Sequence, residues 1–224
     1  MTRFKVVYYI LILVLLGIII SDSYQIYQSK QEQYQIEAQA KINEPNTMNI
    51  EDYQQQYQNK DIIGKLTTNF FKTLVVQGSD NEYYLNHLVD KQYNILGSVY
   101  IDYRIDIDNS KVIIVYGHSS NEYDLPFNYL HQYLDKSTFE NNNLIKLETE
   151  NQTYQYELVT VKIVNDDNHL QVNFQENQWE NHLENLTTGA IYSKNIDEQS
   201  EIIILQTCYL NEDNKYLIII GRKV

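Results

Sequence analysis

The sequence contains a single cysteine, Cys208, and only two prolines and seven glycines among its 224 residues. One cysteine cannot form an intramolecular disulfide, nor supply a zinc site that needs two or four cysteine ligands. So little glycine and proline excludes a collagen-like chain. Basic residues are also scarce, since 17 lysines and arginines face 30 aspartates and glutamates and the net charge is −13. A protein that follows nucleic-acid phosphates needs a basic face, so we expect no nucleic-acid partner.

What the sequence does hold is apolar and tyrosine-rich. Hydrophobic residues make up 43% of the chain, and tyrosine alone contributes 21 residues. The length suits one domain with an appendage. Tyrosine, isoleucine and valine favour half-buried pleated strands, so the composition predicts a mainly β fold.

Short β-rich runs alternate with polar turns after residue 60. This pattern favours a closed or nearly closed barrel, or a sandwich. Two hairpins are predicted near the end, one across Glu150-Asn151-Gln152 and one across Asn211-Glu212-Asp213-Asn214. The predicted strands are Leu74–Val76, Ser98–Ile107, Lys111–Gly117, Leu144–Glu148, Thr153–Val164, Glu201–Leu210 and Lys215–Val224. The predicted helical segments are Asn49–Asn59, Glu82–Leu88, Leu125–Leu134 and Glu176–Leu186.

The N-terminus carries an apolar run from Val6 to Ile20. Arg3 and Lys5 precede the run, and the positive-inside rule then places the N-terminus in the cytoplasm. We expect residues 1–21 to form a single-pass membrane anchor, with the span at roughly residues 4–21. A cleaved signal peptide is the alternative, although Ser21-Asp22-Ser23 is a poor cleavage site. Either interpretation exports the rest of the chain, so a catalytic domain would be extracellular.

Residues 22–58 are rich in glutamine, glutamate and tyrosine. A weak helical stripe and the break at Pro45 predict a helical stalk that lifts the remaining chain off the membrane. Residues 59–224 then form the barrel domain.

Two residues at predicted strand ends carry the candidate chemistry. Cys208 ends one apolar strand and His118 follows another, and strand ends open onto loops where sites are built. Taken singly, Cys208 would be a small buried hydrophobe and His118 a turn residue. As a pair, an imidazole can stabilise a thiolate and later protonate a leaving amine. The other histidines, His87, His131, His169 and His182, are interpreted as surface or interface residues.

Several ordered blocks resemble the class B sortases. Residues 75–87 resemble the block "VVQGxDNxxYLxH", and residues 97–103 resemble the next strand of that family. Residues 115–118 match the segment that holds the sortase histidine. Residues 205–208 match the "LSTC" strand, with Gln206 in place of serine. Residues 192–193 fit more loosely. The resemblance spans roughly residues 59–224.

The resemblance implies a sortase-type eight-stranded closed β-barrel with peripheral helices. It implies that Cys208 is the nucleophile and His118 the general acid of a cysteine transpeptidase. The substrate would be a sorting-signal peptide of a surface protein, cleaved after threonine and transferred to an amine of peptidoglycan or a pilin. No cofactor or metal is implied. Groove candidates are Thr207, Ser119 and Ser193, and the helix around Trp179 is expected to form one wall of the cleft, with the Trp179 ring buried.

The chain also departs from the family pattern. Leu74, Lys65 and Ser119 replace the usual proline, tryptophan and asparagine. Where the family arginine follows the cysteine, this chain has Tyr216, with Lys215 beside it. Arg222 and Arg104 lie further away, so we predict that Tyr216 occupies the arginine position. Two rival functions stay open: a cysteine peptidase that uses water, and a cell-wall peptide-binding module without turnover.

Overall fold

The structure is a computed structural model that describes residues 12–25, 27–28, 30, 49–165, 170, 172 and 178–224. The chain divides into two compact units, Met1–Gln39 and Ala40–Val224. In the first unit, residues 12–25 are helical and their apolar side chains, among them Leu13 and Ile20, are exposed. Among the residues described, no helix has the length and apolar character needed to span a membrane. Residues 1–11 of the predicted anchor and 31–48 of the predicted stalk lie outside the described residues.

The second unit is built mainly from strands. Its strands are β1 Ile62–Thr67, β2 Lys72–Val76, β3 Val99–Ile101, β4 Val112–Tyr116, β5 Leu144–Thr149, β6 Thr153–Asn165, β7 Tyr192–Ser193, β8 Ile202–Cys208 and β9 Lys215–Lys223. The α-helices are α1 Ile50–Gln56, α2 Lys136–Asn141 and α3 Trp179–Thr187, and the 3-10 helices are Tyr83–Leu85 and Pro126–Leu134.

Eight of the strands close into a barrel. They follow the order β5-β1-β2-β3-β4-β8-β9-β6, and an additional pairing of β5 with β6 closes the ring. The two-residue strand β7 pairs with β6 outside the ring. The expectation of a closed eight-stranded barrel with peripheral helices is therefore confirmed for the described residues.

Both predicted hairpins form, but one predicted strand is much shorter than expected. β5 pairs with β6, and β8 pairs with β9, both antiparallel. β3 ends at Ile101, whereas the apolar pattern predicted a strand up to Ile107. The chain turns after Ile101, because Ile105 N–H donates to Asp102 O at 3.1 Å and Arg104 N–H donates to Asp102 Oδ1 at 3.0 Å.

Helix α1 covers part of the outer barrel surface. Asn49 caps it with a side-chain oxygen that accepts Asp52 N–H at 2.8 Å. Ile50 and Tyr53 are buried in a cluster with residues of β1 and β2, including Val76. Val75, the neighbour of Val76 along β2, belongs instead to the core cluster inside the barrel. Alternation along β2 therefore separates an inner face from an outer face.

Candidate active site

The ends of β4 and β8 bring His118 and Cys208 to the same level. The two strands are parallel neighbours in which Tyr116 pairs with Gln206. The ladder continues beyond this pair, because Gly117 N–H donates to Gln206 O at 3.2 Å. His118 and Cys208 each lie two residues beyond the pair, and residues two apart share a face of a sheet. The structure therefore brings His118 and Cys208 to the same end of two adjacent parallel strands.

Cys208 lies on the outer face of the barrel. Leu205 is fully buried and Thr207 is 2% exposed, whereas Cys208 is exposed. An exposed thiol at a strand end differs from the buried, inert role that most lone cysteines have. Thr207, which we expected in the substrate groove, instead directs its side chain into the barrel interior, because it alternates with Cys208.

The ring of His118 is held through one nitrogen. Its Nε2 lies 2.8 Å from Leu85 O. A carbonyl oxygen only accepts hydrogen bonds, so Nε2 carries the proton and the neutral ring has its lone pair on Nδ1. Nδ1 is therefore the nitrogen that can take a proton and return it without loss of the contact to Leu85.

The Leu85 carbonyl owes its position to Gly97. Gly97 has a φ of +57°, and a Cβ built on it would lie 2.5 Å from Leu85 O. Only glycine fits both the left-handed backbone and this close approach. Gly97 thus allows the chain to pass behind the carbonyl that orients His118.

Ser119 ties the histidine loop to the cysteine strand. Its Oγ donates a 2.6 Å hydrogen bond to Cys208 O. Ser119 was expected to line the substrate groove, and the structure shows its hydroxyl bonded to the backbone of Cys208. Gly117, two residues before Ser119, packs so closely on Phe127 that an added Cβ would lie 2.7 Å from the ring. The residues on both sides of His118 are therefore held in place, one against Phe127 and one against the backbone of Cys208.

Tyr216 of β9 stands directly opposite Cys208. The next pair, Tyr209 and Lys215, is hydrogen-bonded, because Tyr209 N–H donates to Lys215 O at 2.8 Å. Hydrogen-bonded and non-hydrogen-bonded pairs alternate along an antiparallel ladder, so Cys208 and Tyr216 form a non-hydrogen-bonded pair. Such pairs hold side chains closest, with Cα atoms about 4.5 Å apart. Tyr216 is thus a direct neighbour of the thiol.

The cations considered for the third catalytic position lie elsewhere. Lys215 alternates with Tyr216 and forms an ion pair with Glu212 at 2.6 Å. Arg222 lies at the opposite end of β9, where its Nη2 donates to Glu157 at 2.9 Å. Neither of these residues pairs with Cys208.

A cluster around Asp102, which the sequence analysis did not identify, anchors the end of β4. The fully buried carboxylate accepts bonds from Arg104 Nε at 2.8 Å and Arg104 Nη2 at 2.7 Å. It also accepts from Asn81 Nδ2 at 3.0 Å and from the Tyr116 hydroxyl at 3.2 Å. Burial opposes ionisation, but the bonds from Arg104 and Asn81 outweigh it and hold the pKa of Asp102 below its usual value. Arg104 therefore holds the carboxylate that accepts the Tyr116 hydroxyl, and Tyr116 lies two residues before His118.

Helix α3 forms one wall of a separate cleft. A cleft of about 890 Å³ runs between α3 and residues 193–199, and acidic side chains such as Glu180 and Glu184 line it. Trp179 is buried, as expected for a packing anchor. Ser193 contacts Thr160 at 3.3 Å and lies on this cleft, so the structure does not bring it to Cys208.

Two curated proteins are similar to this chain over most of its length, although no family model matches it. The sortase B of Staphylococcus aureus is 27% identical over 173 residues, which cover 73% of this chain and 70% of that protein. The sortase B of Listeria monocytogenes is 28% identical over 162 residues, which cover 69% of this chain and 65% of that protein.

Solved structures show the same fold. A Clostridium perfringens sortase B structure matches with a TM-score of 0.71 at 20% identity, over 78% of this chain and 98% of that chain. A Staphylococcus aureus sortase B–substrate complex has a TM-score of 0.70 at 23% identity, over 78% of this chain and 84% of that chain. The barrel and the paired strand ends define the sortase class of fold. Together with the two curated relatives, they support a class B sortase.

Proposed function

We propose that this chain is a membrane-anchored, extracytoplasmic cysteine transpeptidase that cleaves a sorting-signal peptide after threonine. The observation that supports the proposal is that Cys208 and His118 follow the same paired level of the adjacent parallel strands β8 and β4. The similarity to curated sortase B proteins supports the same reaction class. The reaction then has two half-reactions, joined by a thioester on Cys208.

In the first half-reaction, the thiol proton of Cys208 moves to His118 Nδ1, which gives a thiolate and an imidazolium. The sulfur attacks the carbonyl carbon of the substrate threonine. As the carbon–nitrogen bond breaks, the imidazolium gives its proton to the leaving amine. The bond from His118 Nε2 to Leu85 O is compatible with both ring states, so the ring keeps its orientation.

In the second half-reaction, an amine of peptidoglycan or a pilin attacks the thioester carbonyl. His118 Nδ1 takes the proton of the incoming amine, and the thiolate of Cys208 leaves. The solved sortase B complexes with a substrate and with triglycine support a peptide substrate and an amine acceptor.

Tyr216 is the group that we assign to the developing oxyanion. A donor aimed at the oxyanion can be worth roughly 3–4 kcal/mol. The hydroxyl of Tyr216 donates one neutral hydrogen bond, whereas a guanidinium donates two charged ones. We therefore expect slow turnover. A single neutral donor at Tyr216 also favours a second candidate function, a peptide-binding module without turnover.

We further propose that residues 4–21 cross the membrane and that residues 22–224 lie outside the cell. The flanking Arg3 and Lys5 and the apolar run after them support this topology. The exposed apolar side chains of the helical residues 12–25 also support it, because such a surface suits lipid rather than water.

Product analysis tests the reaction type. The full chain in detergent is incubated with a threonine-containing sorting peptide, with and without triglycine as the amine. A transpeptidase yields a ligated product when triglycine is present, and a cysteine peptidase yields only the free acid in both cases. A binding module leaves the peptide intact while still retaining it in a pull-down.

A further inference from the structure

The backbone just after Cys208 is held by contacts from two other segments. Ser119 Oγ donates to Cys208 O at 2.6 Å, and Asn121 Nδ2 donates to Leu210 O at 3.3 Å. Leu210 N–H donates to His131 Nε2 at 3.2 Å. His131 comes from the 3-10 helix Pro126–Leu134, which is 79 residues away in sequence. The position of the nucleophile strand end thus depends on a histidine outside the catalytic pair.

His131 can make this contact only as a neutral ring. Its Nδ1 lies 3.2 Å from Asn128 O, which accepts and therefore requires a proton on Nδ1. Nε2 must then be the acceptor for Leu210 N–H. A second proton on Nε2 would turn this acceptor into a donor that faces another donor, so protonation breaks the contact.

The ring is also fixed by packing. It stacks on Tyr209, the residue between Cys208 and Leu210, with ring centroids 6.0 Å apart and planes 8° apart. His131 thus holds two successive residues after the nucleophile, one by stacking and one by a hydrogen bond.

We propose that His131 is a positioning residue that, in its neutral state, locks the segment after Cys208 in place and releases it on protonation. The role in catalysis rests on the proposed function, but the lock itself does not. His131 acts on the segment after Cys208 through Tyr209 and Leu210, so its loss should lower kcat more than it raises KM.

The surroundings favour the neutral ring. Burial lowers the pKa of His131 from its usual value, although the carbonyls of Asn128 and Phe127 oppose the shift. Three ionisable groups on the neighbouring elements have partners of their own, and Asp213 lies on the exposed turn of the β8–β9 hairpin. Glu212 and Lys215 on the β8–β9 hairpin pair with each other at 2.6 Å. Asp124 accepts from the Tyr129 hydroxyl at 3.5 Å. Tyr209 contacts the ring by stacking.

The direction of the pH effect follows. Because the folded protein disfavours the protonated ring, the lock is closed at neutral pH and opens as the pH falls through the lowered pKa of His131.

Two variants separate the hydrogen bond to Leu210 from the titration of the His131 ring. His131→Gln places an amide oxygen near the position of Nε2, so it accepts the Leu210 N–H at every pH. His131→Phe keeps an aromatic ring over Tyr209 but removes the acceptor.

The test is the NMR hydrogen-exchange protection of the Leu210 amide in the full chain without substrate, as the pH is lowered from 7.5 for as long as the chain stays folded. We expect wild type and the surface control His87→Gln to lose at least roughly tenfold in protection as the pH falls, and His131→Gln to lose none. His131→Phe should be unprotected throughout. Equal loss in wild type and His131→Gln would overturn the lock, even if His131→Phe fails to fold.

A catalytic readout follows on the same samples. A tenfold fall in kcat for His131→Phe, with KM unchanged and rescue by His131→Gln, supports the positioning role, and unchanged kcat refutes it. Absence of turnover in wild type refutes the proposed function and leaves the exchange result standing.

Discussion

Cys208 and Tyr216 face each other across β8 and β9 as a non-hydrogen-bonded pair. This relationship places a phenol where the resemblance to class B sortases leads one to expect an arginine. Tyr216 also lies within electrostatic reach of Tyr100 on β3, where burial and then the charge of Asp102 and the phenol of Tyr216 raise the pKa of Tyr100.

Substitution of Tyr216 tests its role beside the thiol. Tyr216→Phe removes the hydroxyl donor and should lower kcat roughly 10- to 100-fold, whereas Tyr216→Arg should raise kcat because it restores two charged donors. Steady-state transpeptidation with a sorting peptide and triglycine measures both effects.

Tyr209→Phe is the matched control for this pair. Tyr209 is the residue just after the end of β8, and its hydroxyl accepts an exposed hydrogen bond from Asn211 at 3.1 Å. The Tyr209→Phe variant should leave kcat within about twofold of wild type. If Tyr216→Phe has no effect while Lys215→Ala or Arg222→Ala abolishes turnover, one of those cations is the third catalytic residue.

Ser119→Ala should loosen the tie between the histidine loop and the cysteine strand. The variant loses the 2.6 Å bond to Cys208 O, so unfolding free energy should fall by about 1 kcal/mol. A slight displacement of His118 should lower kcat roughly tenfold, with little change in KM. Urea unfolding and steady-state kinetics measure the two effects, with Ser137→Ala on the surface as the control. Unchanged kcat in Ser119→Ala would show that the bond does not align the pair.

Asp102→Asn should destabilise the barrel in a pH-dependent way. The variant weakens the charge-assisted bonds to Arg104, and we expect a loss of about 1–3 kcal/mol at pH 7. The folded pKa of Asp102 is lowered, so its contribution is complete above the ordinary value of about 3.9 and is lost as the pH falls through the folded pKa. The gap between wild type and variant, measured by urea unfolding, should narrow at low pH. Asp213→Asn, on an exposed turn, should show no gap, and a gap of equal size at all pH values would contradict this account.

Protease accessibility tests the proposed topology. Protease added to intact protoplasts should remove residues 22–224, because the chain beyond the proposed span lies outside. A cytoplasmic protein of the same cells serves as the control for lysis. Full protection of the segment that carries Cys208 would contradict the topology.

Much of the barrel was predictable from local pattern. The hairpins of β5 with β6 and of β8 with β9 were predicted because apolar strands flank polar turn clusters, and both form. The strand pattern left a closed barrel, a nearly closed barrel and a sandwich open, and only the resemblance to sortases implied a closed ring of eight strands. The predicted C-terminal end of β3 was wrong. The apolar pattern continues through Ile105 and Ile107, but Asp102 and Arg104 form a turn before those residues.

The site was predictable only in part. Strand ends made Cys208 and His118 candidates because the sequence marks where an apolar run stops. Thr207 is buried and Ser193 lies on the cleft beside α3, because strand alternation and pairing decide which face a side chain occupies. His131 was interpreted as a surface or interface residue. Its contact to Leu210 joins segments 79 residues apart, and no local pattern encodes such a contact.

The central claim is that Cys208 forms an acyl-enzyme. Intact mass spectrometry of the full chain, after incubation with a library of threonine-containing sorting peptides and no amine, tests it most directly. We expect an added mass equal to the peptide fragment that ends at threonine, located on Cys208 and absent from Cys208→Ala. An adduct that persists in Cys208→Ala, or turnover of the peptides with no adduct on Cys208, would contradict it.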